Sequence, residues 1–220
     1  MIAAGRIAVN GAVVRDSGFK AAPEQITLDG APLVVETDVY LMLHKPAGVV
    51  TATEDKRLPT VVSLLPEKYQ RRKIGPVGRL DRDVTGLVLL TTDGEMAHRL
   101  ISPKWKAEKT YRAVCEGELT QADVAAFDTG LELSDFTAKP ARLEILSVSN
   151  GHSTADVTLT EGKFHQVKRM FAAVGHPLTK LHRLRIGCVT LDESLAEGEY
   201  RLLTGDEIAG LKRLTNLDKE

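Results

Sequence analysis

The amino-acid sequence predicts an α+β protein with a largely antiparallel, mixed sheet flanked by helices. Asn10-Gly11 and Asn150-Gly151 each join two β-prone runs, and Asn-Gly is the strongest short-range signal for a β-hairpin. Residues 161–175 instead show helical spacing of apolar side chains, end at Gly175 and have Pro177 beyond it, which is typical of a helix terminus. Hairpins and helices in separate segments favour the α+β class.

Length and composition limit the class of protein. The chain has 220 residues, of which 43% are hydrophobic and 27% charged, as expected for a globular protein with one main domain and a small appendage. No apolar run reaches the roughly 18 residues that a membrane span needs, and residues 1–6 lack the regions of a signal peptide. We therefore expect a cytoplasmic protein with no membrane partner.

Residues 1–38 are predicted to form two short hairpins. The first turns at Asn10-Gly11 and the second, over residues 26–33, turns at Asp29-Gly30. The basic turn before V-N-G-A-V-V resembles the back half of an S4-type RNA-binding domain, although the chain begins too late to contain the two helices that normally precede it. We expect a truncated S4-like segment, and the alternative is a two-hairpin appendage without a binding role.

The main domain is expected to span residues 39–220, after a linker at residues 36–38. The apolar run 40–45 predicts a strand that ends at Pro46 and Gly48. Periodicity and turn residues predict the elements that follow. Helices are expected at 60–66, 95–101 and 122–131, strands at 109–115 and 199–204, a hairpin of 141–148 with 153–160, and a final helix. The helix at 161–175 should bury a stripe made of Phe164, Val167, Phe171 and Val174.

The two cysteines and the charge pattern bear on possible ligands. Cys115 and Cys188 lie in apolar, strand-like runs, so we predict buried free thiols and neither a disulfide nor a zinc site. The net charge of -1 argues against a nucleic-acid partner, but residues 163–185 contain six Lys or Arg and no acid. Such segregation can give a neutral protein one positive face that attracts phosphates.

The segment with the strongest chemical signal is the loop around Asp81. This carboxylate lies between Arg79 and Arg82, in a loop bounded by Gly78 and Gly86 that runs into an apolar strand-like segment. A loop residue held by a rigid strand is a common position for a catalytic group. The alternative is an aspartate that only pairs with a neighbouring arginine on a solvated turn.

Several motifs resemble those of pseudouridine synthases. The run G-R-L-D-R-D-V-T-G-L at residues 78–87 is similar to the family's signature, and the resemblance implies that Asp81 is the sole catalytic carboxylate. It further implies that Tyr111, in K-T-Y, stacks on the target base, and that Lys168, in H-Q-V-K, pairs with the carboxylate. The Lys45-Pro46-x-Gly48 segment resembles the family's first motif, which is structural and lies near the active cleft.

The motifs E-K-T-Y and F-H-Q-V-K-R-M-F are most similar to the small-subunit members of the RsuA family. This resemblance implies isomerisation of a uridine, uridine 516 being expected, in bacterial 16S rRNA or an assembling small ribosomal subunit. The alternatives are a large-subunit (23S) rRNA synthase of the same family and a non-catalytic RNA-binding assembly factor. A carboxylate-based glycosidase is a third, for which Asp83 would be the only close second acid.

The expected reaction breaks the C1′–N1 bond and joins C5 to C1′, with no net redox change, so we expect no cofactor and no metal. The carboxylate acts either as nucleophile or as the base that removes a ribose proton. We expect a monomer. The basic and polar residues near the motifs are predicted to bind RNA, namely Arg79, Arg82, Lys109, His165, Gln166, Arg169, Arg183 and Arg185. Arg79 is a candidate to fill the space that a flipped base leaves.

Overall fold

The computed structural model describes residues 1–33 and 38–218. The chain divides into two compact units, Met1–Asp38 and Val39–Glu220, which are described one at a time. The predicted linker at residues 36–38 lies outside the described residues except for Asp38. Among the described helices, none has the length and apolar character needed to cross a bilayer.

The first unit contains a four-stranded antiparallel sheet in the order β2-β1-β3-β4. Its strands are β1 Ile7–Val9, β2 Ala12–Val13, β3 Ile26–Leu28 and β4 Ala31–Pro32. Asn10 and Gly11 have φ values of 49° and 82°, and Asp29 and Gly30 have values of 52° and 84°. Positive φ at both central residues is what a tight two-residue hairpin turn requires. Both predicted hairpins are confirmed, whereas the S4-like identity of the unit stays a prediction.

The second unit is built on a mixed sheet of nine strands among its described residues, in the order β11-β12-β8-β13-β7-β5-β15, with β14 beside β13 and β6 beside β7. The strands are β5 Tyr40–Lys45, β6 Gly75–Pro76, β7 Thr85–Thr91, β8 Lys109–Glu116, β11 Arg142–Ser149, β12 His152–Leu159, β13 Leu178–Ile186, β14 Val189–Thr190 and β15 Tyr200–Leu202. A separate ladder joins β9 Leu131–Glu132 to β10 Thr137–Ala138. The ladder between β7 and β13 is parallel, and the other described ladders of the large sheet are antiparallel.

Five α-helices lie in the described part of the second unit, and with the sheet they confirm the predicted α+β class. They are α1 Glu67–Gln70, α2 Gly94–Ile101, α3 Gln121–Thr129, α4 Gln166–Ala173 and α5 Gly205–Leu214. The helix predicted at residues 60–66 is wrong, because that segment forms turns. There the Thr60 amide bonds the Ser63 hydroxyl and the Ser63 amide bonds the Thr60 hydroxyl, and such local bonds compete with a helix.

The fourth helix is shorter than predicted. The expected helix at residues 161–175 begins only at Gln166, because His165 has a left-handed backbone with a φ of 51°. Val167 and Phe171 are buried as predicted, but Phe164 lies before the helix and is 76% exposed. The predicted membership of Phe164 in the buried stripe is therefore wrong.

The core lies on both faces of the sheet. In β7, Val88 and Leu90 belong to one buried cluster while Leu87 and Leu89 belong to another, as expected for side chains that alternate along a strand. Helices α3 and α4 contribute Phe127 and Phe171, whose rings meet edge to face at 5.1 Å. Because β7 is buried on both sides, it holds the end of the preceding loop in a fixed position.

Of the two cysteines, Cys115 is buried as predicted and Cys188 is exposed. The run I-G-C-V-T-L is not one strand. It turns at Gly187-Cys188 between β13 and β14, with Ile186 opposite Val189. The prediction of a buried thiol at Cys188 is wrong because this residue occupies the tip of a hairpin.

Candidate active site

Asp81 lies in the loop of residues 77–84 between β6 and β7, hereafter the Asp81 loop. The loop is held on one side by Thr51, whose hydroxyl donates to the Leu80 carbonyl at 2.8 Å and accepts from the Leu80 amide at 3.1 Å. The amide of Gly48 donates to the Arg82 carbonyl at 2.8 Å. Backbone groups on both sides of Asp81 are thus fixed by the segment that follows β5.

Lys45 is the deepest support of the Asp81 loop. Its side chain is fully buried, and its Nζ donates to the carbonyls of Pro46, Arg82 and Val84 at 3.0, 3.2 and 2.7 Å. Burial lowers the pKa of this ammonium to about 8, so at neutral pH it is protonated and supplies three donors for three carbonyls. The Lys45-Pro46-x-Gly48 segment therefore lies against the loop and braces it.

Lys45→Met is expected to loosen the Asp81 loop. The substitution leaves carbonyls without a donor, and each buried unsatisfied acceptor costs about 1–3 kcal/mol. Activity should fall about tenfold or more, since small displacements of a catalytic group are expensive. Turnover and urea unfolding are the measurements, with the exposed Lys56→Met as the matched control. Wild-type turnover and stability in Lys45→Met would contradict the bracing role.

Two basic side chains, Lys168 and His165, contact Asp81. Lys168 Nζ, from α4, lies 3.1 Å from Asp81 Oδ2, and His165 Nε2 lies 3.4 Å from Oδ1. The same ammonium contacts Asp83 at 2.8 Å. Burial opposes the charge of Lys168, but its bonds to Asp83 and Asp81 outweigh burial and raise the pKa of the lysine. Lys168 therefore remains cationic and holds the two carboxylates of the Asp81 loop to the start of α4.

Asp83 is a poor candidate for a second acid. Its hydrogen bond from Lys168 lowers the pKa of its carboxyl, and its side chain is 72% exposed. A glycosidase needs one carboxyl with a raised pKa to protonate the leaving group. The geometry therefore disfavours the glycosidase alternative.

The Asp81 loop forms one wall of a cleft of about 680 Å³. Tyr111 on β8 lies within this cleft, only 7% exposed. Beneath it, Arg183 on β13 donates from Nε to the Leu87 carbonyl at 2.8 Å and from Nη1 to the Tyr111 hydroxyl at 3.5 Å. The cleft is lined by Val50, Thr51, Gly78, Arg79, Leu80, Asp81, Arg82, Asp83, Ile101, Lys109, Tyr111, Gly162, Lys163, Phe164, His165 and Arg183. A carboxylate, an aromatic ring and several cations thus share one concave surface.

Five of the eight residues predicted to bind RNA line this cleft: Arg79, Arg82, Lys109, His165 and Arg183. Arg183 is only 1% exposed and supports the Tyr111 hydroxyl, so its contact with RNA stays a prediction. Burial, and to a smaller extent the charge of Arg183, lower the pKa of Lys109 to about 8. Arg183, which is always charged, and Lys109 therefore both contribute positive charge to the lining of the cleft at neutral pH.

The other three predicted RNA-binding residues do not line this cleft and have partners within the protein, so their contact with RNA stays a prediction. Gln166 is 3% exposed; its amide donates to Glu161 at 2.6 Å and accepts from the Lys163 amide at 2.9 Å. Arg169 pairs with Asp135 and lies over Phe136, and Arg185 pairs with Glu108. Sequence shows these charges but not the partners that already occupy them.

Sequence reasoning missed Thr51, Glu161 and Phe164. Thr51 and Glu161 are 3% and 4% exposed, and no local pattern marks either as buried. Glu161 lies two residues before the acid-free basic stretch of residues 163–185, which is the only signal that could have drawn attention to it. Within residues 1–33 and 38–218, no three His, Cys, Asp or Glu side chains are grouped so as to hold a metal ion.

Comparison with known proteins connects this site to a family. Residues 39–173 match the family described as RNA pseudouridylate synthase. "Ribosomal small subunit pseudouridine synthase A" of Escherichia coli (strain K12) is 44% identical over 211 residues, covering 94% of this chain and 89% of that protein. "Uncharacterized RNA pseudouridine synthase YtzG" of Bacillus subtilis (strain 168) is 41% identical over 211 residues, covering 94% and 88%.

The fold is also found among solved structures. One described as "Crystal structure of pseudouridylate synthase" superposes with a TM-score of 0.73 at 39% sequence identity, covering 96% of this chain and 90% of that one. The matched family region, residues 39–173, includes Asp81, Tyr111 and Lys168.

Proposed function

This chain belongs to the RNA pseudouridylate synthase family, and from that premise we propose that it converts one uridine of small-subunit (16S) ribosomal RNA to pseudouridine. Uridine 516 is the expected position. The small-subunit substrate is supported by the name of the E. coli relative, which is 44% identical over nearly the whole chain. The first unit is proposed to assist as an S4-like RNA-binding segment.

The observation that carries the proposal is the position of Asp81 in the cleft, bound by Lys168 at 3.1 Å and facing the same space as Tyr111. The reaction cleaves the C1′–N1 bond, rotates the base and joins C5 to C1′. C5 then loses its proton and N1 gains one, so atoms and electrons balance within the nucleoside. One carboxylate is enough for this sequence. Asp81 acts either as nucleophile at C1′ or as base at the neighbouring ribose carbon.

Tyr111 and Arg79 are proposed to handle the base. A uridine inside folded RNA must leave its stack before it reaches a carboxylate in a cleft. Tyr111 offers its ring as a stacking surface, and Arg183 fixes its hydroxyl from below. Arg79 lines the same cleft and is proposed to fill the vacated position or to hold the flanking phosphates.

The proposal is tested by incubating the full chain with 16S transcript, small-subunit particles and 23S transcript, and by mapping pseudouridines in each. We expect one new pseudouridine in 16S rRNA and none in 23S rRNA. A product confined to 23S rRNA would favour the large-subunit alternative. RNA binding without product in any of the three would favour the non-catalytic assembly factor.

A further inference from the structure

Phe164 is an aromatic side chain held in solvent at the rim of the cleft. It is 76% exposed and lines the same cleft as Asp81 and Tyr111. Its ring stacks on that of His165, with centroids 3.7 Å apart and planes 19° from parallel. Because His165 covers one face of Phe164, the other face is left for a further planar group.

The backbone around Phe164 is anchored on both sides. The buried side-chain amide of Gln166 accepts a hydrogen bond from the backbone amide of Lys163 at 2.9 Å and donates one to the Glu161 carboxylate at 2.6 Å. Glu161 in turn accepts from the Lys139 amide at 2.9 Å. A loop tied down in this way does not expose Phe164 by fraying, so the exposed ring is a built feature of the surface.

The backbone of His165 gives the same indication. Its φ of 51° is a left-handed conformation that is uncommon for residues other than glycine, and such conformations concentrate at functional sites. This turn directs the His165 imidazole to within 3.4 Å of Asp81, while Phe164 stays outside the core. The left-handed turn at His165 therefore places the imidazole that contacts Asp81 beside the exposed ring of Phe164.

The surroundings of Phe164 identify the chemistry of its ligand. Lys163, Arg79 and Arg82 line the same cleft, and Ile101, 50% exposed, lies in its lining as well. Aromatic and apolar faces interleaved with cations suit unpaired nucleotides, whose bases stack while their phosphates pair with the cations. An apolar protein partner would not need these cations.

We propose that the free face of Phe164, backed by His165, is a stacking subsite for the unpaired base next to the uridine that enters the cleft. The subsite deepens the proposed function and rests on it. Tyr111 then receives the reacting base and Phe164 receives its neighbour. Phe164 thus contributes to RNA binding and to specificity. His165 stacks on Phe164 and contacts Asp81, so it lies between the subsite and the carboxylate.

The test uses the RNA that the wild-type chain modifies, with 2-aminopurine placed in turn on each side of the target uridine. Binding and fluorescence are measured in Asp81→Asn protein, where turnover does not interfere. We expect quenching at one of the two positions, lost in the Asp81→Asn, Phe164→Ala double variant. Stacking on an aromatic ring contributes to affinity, so Phe164→Ala should weaken binding about tenfold to about a hundredfold.

Three further variants, made in otherwise wild-type protein, separate stacking from bulk. Phe164→Trp should bind RNA as wild type does, and Phe164→Leu should bind as weakly as Phe164→Ala. Leu146→Ala, which removes an apolar side chain 45% exposed that does not line the cleft, is the matched control and should leave binding unchanged.

The subsite would be overturned by wild-type affinity in Phe164→Ala or Phe164→Leu, or by the absence of quenching at both positions. A large loss of turnover with unchanged affinity would also overturn it, since Phe164 would then act only through His165. Failure of the proposed function is a separate result. It is observed with wild-type protein alone, as the lack of any pseudouridine in 16S rRNA.

Discussion

Asp81→Asn is expected to abolish pseudouridine formation while leaving the fold and RNA binding nearly intact. The amide has the shape of the carboxylate but can act neither as nucleophile nor as base. The fold should persist because Lys168 keeps its contact with Asp83 at 2.8 Å, so the start of α4 remains tied to the Asp81 loop. Product formed from the 16S substrate and affinity for the same RNA are the two measurements.

Asp83→Asn is the matched control for this prediction. Like Asp81→Asn, it removes one carboxylate charge that contacts the Lys168 ammonium. The Asp83 side chain is 72% exposed, however, and exposed ion pairs contribute little to stability. Asp83→Asn should retain most of the activity. For Asp81→Asn, residual turnover above about one per cent of wild type, which is about 2.7 kcal/mol in the barrier, would refute the assignment once deamidation to Asp has been excluded.

Gly86→Ala is expected to prevent stable folding of the second unit. Gly86 lies in β7 opposite Arg183 of β13, in the parallel pairing. A Cβ at Gly86 would lie 2.3 Å from the Arg183 carbonyl oxygen and 2.6 Å from its amide nitrogen, and the φ of Gly86 is 106°. Both neighbours are backbone atoms at the centre of the sheet, so neither can move without breaking the ladder. We expect a loss of about 4 kcal/mol or more, a magnitude reached only by severe defects.

Gly151→Ala separates the close approach from the cost of a positive φ. Gly151 has a φ of 72° and no atom within 4 Å of an added Cβ, so alanine there should cost only about 1–2 kcal/mol. Urea unfolding followed by circular dichroism compares the two variants with wild type. Equal destabilisation by both substitutions would show that the contact with Arg183 has no importance beyond backbone conformation.

Local signals in the sequence predicted those parts of the fold that depend on neighbouring residues. Asn10-Gly11 and Asp29-Gly30 favour positive φ at two successive positions, and both hairpins formed around them. The motif resemblance likewise predicted that Lys168 pairs with the carboxylate of Asp81. Lys168 Nζ and Asp81 Oδ2 lie 3.1 Å apart. The catalytic roles of these residues stay a prediction until they are tested.

Long-range partners decided the rest. Gly86 must be glycine because β13, 97 positions later at Arg183, passes directly over it. The positive charges of Arg169 and Arg185 looked available for RNA until Asp135 and Glu108 were found to pair with them. Gln166 is buried and Phe164 is exposed, the reverse of the prediction, because one left-handed residue, His165, delays the start of the helix. The amino-acid sequence by itself determined the turns and the motif that supplies the reactive carboxylate, because those depend on contacts within a few residues. Tertiary structure alone decided which charges stay unpaired and which aromatic ring faces the cleft, because packing between distant segments sets both.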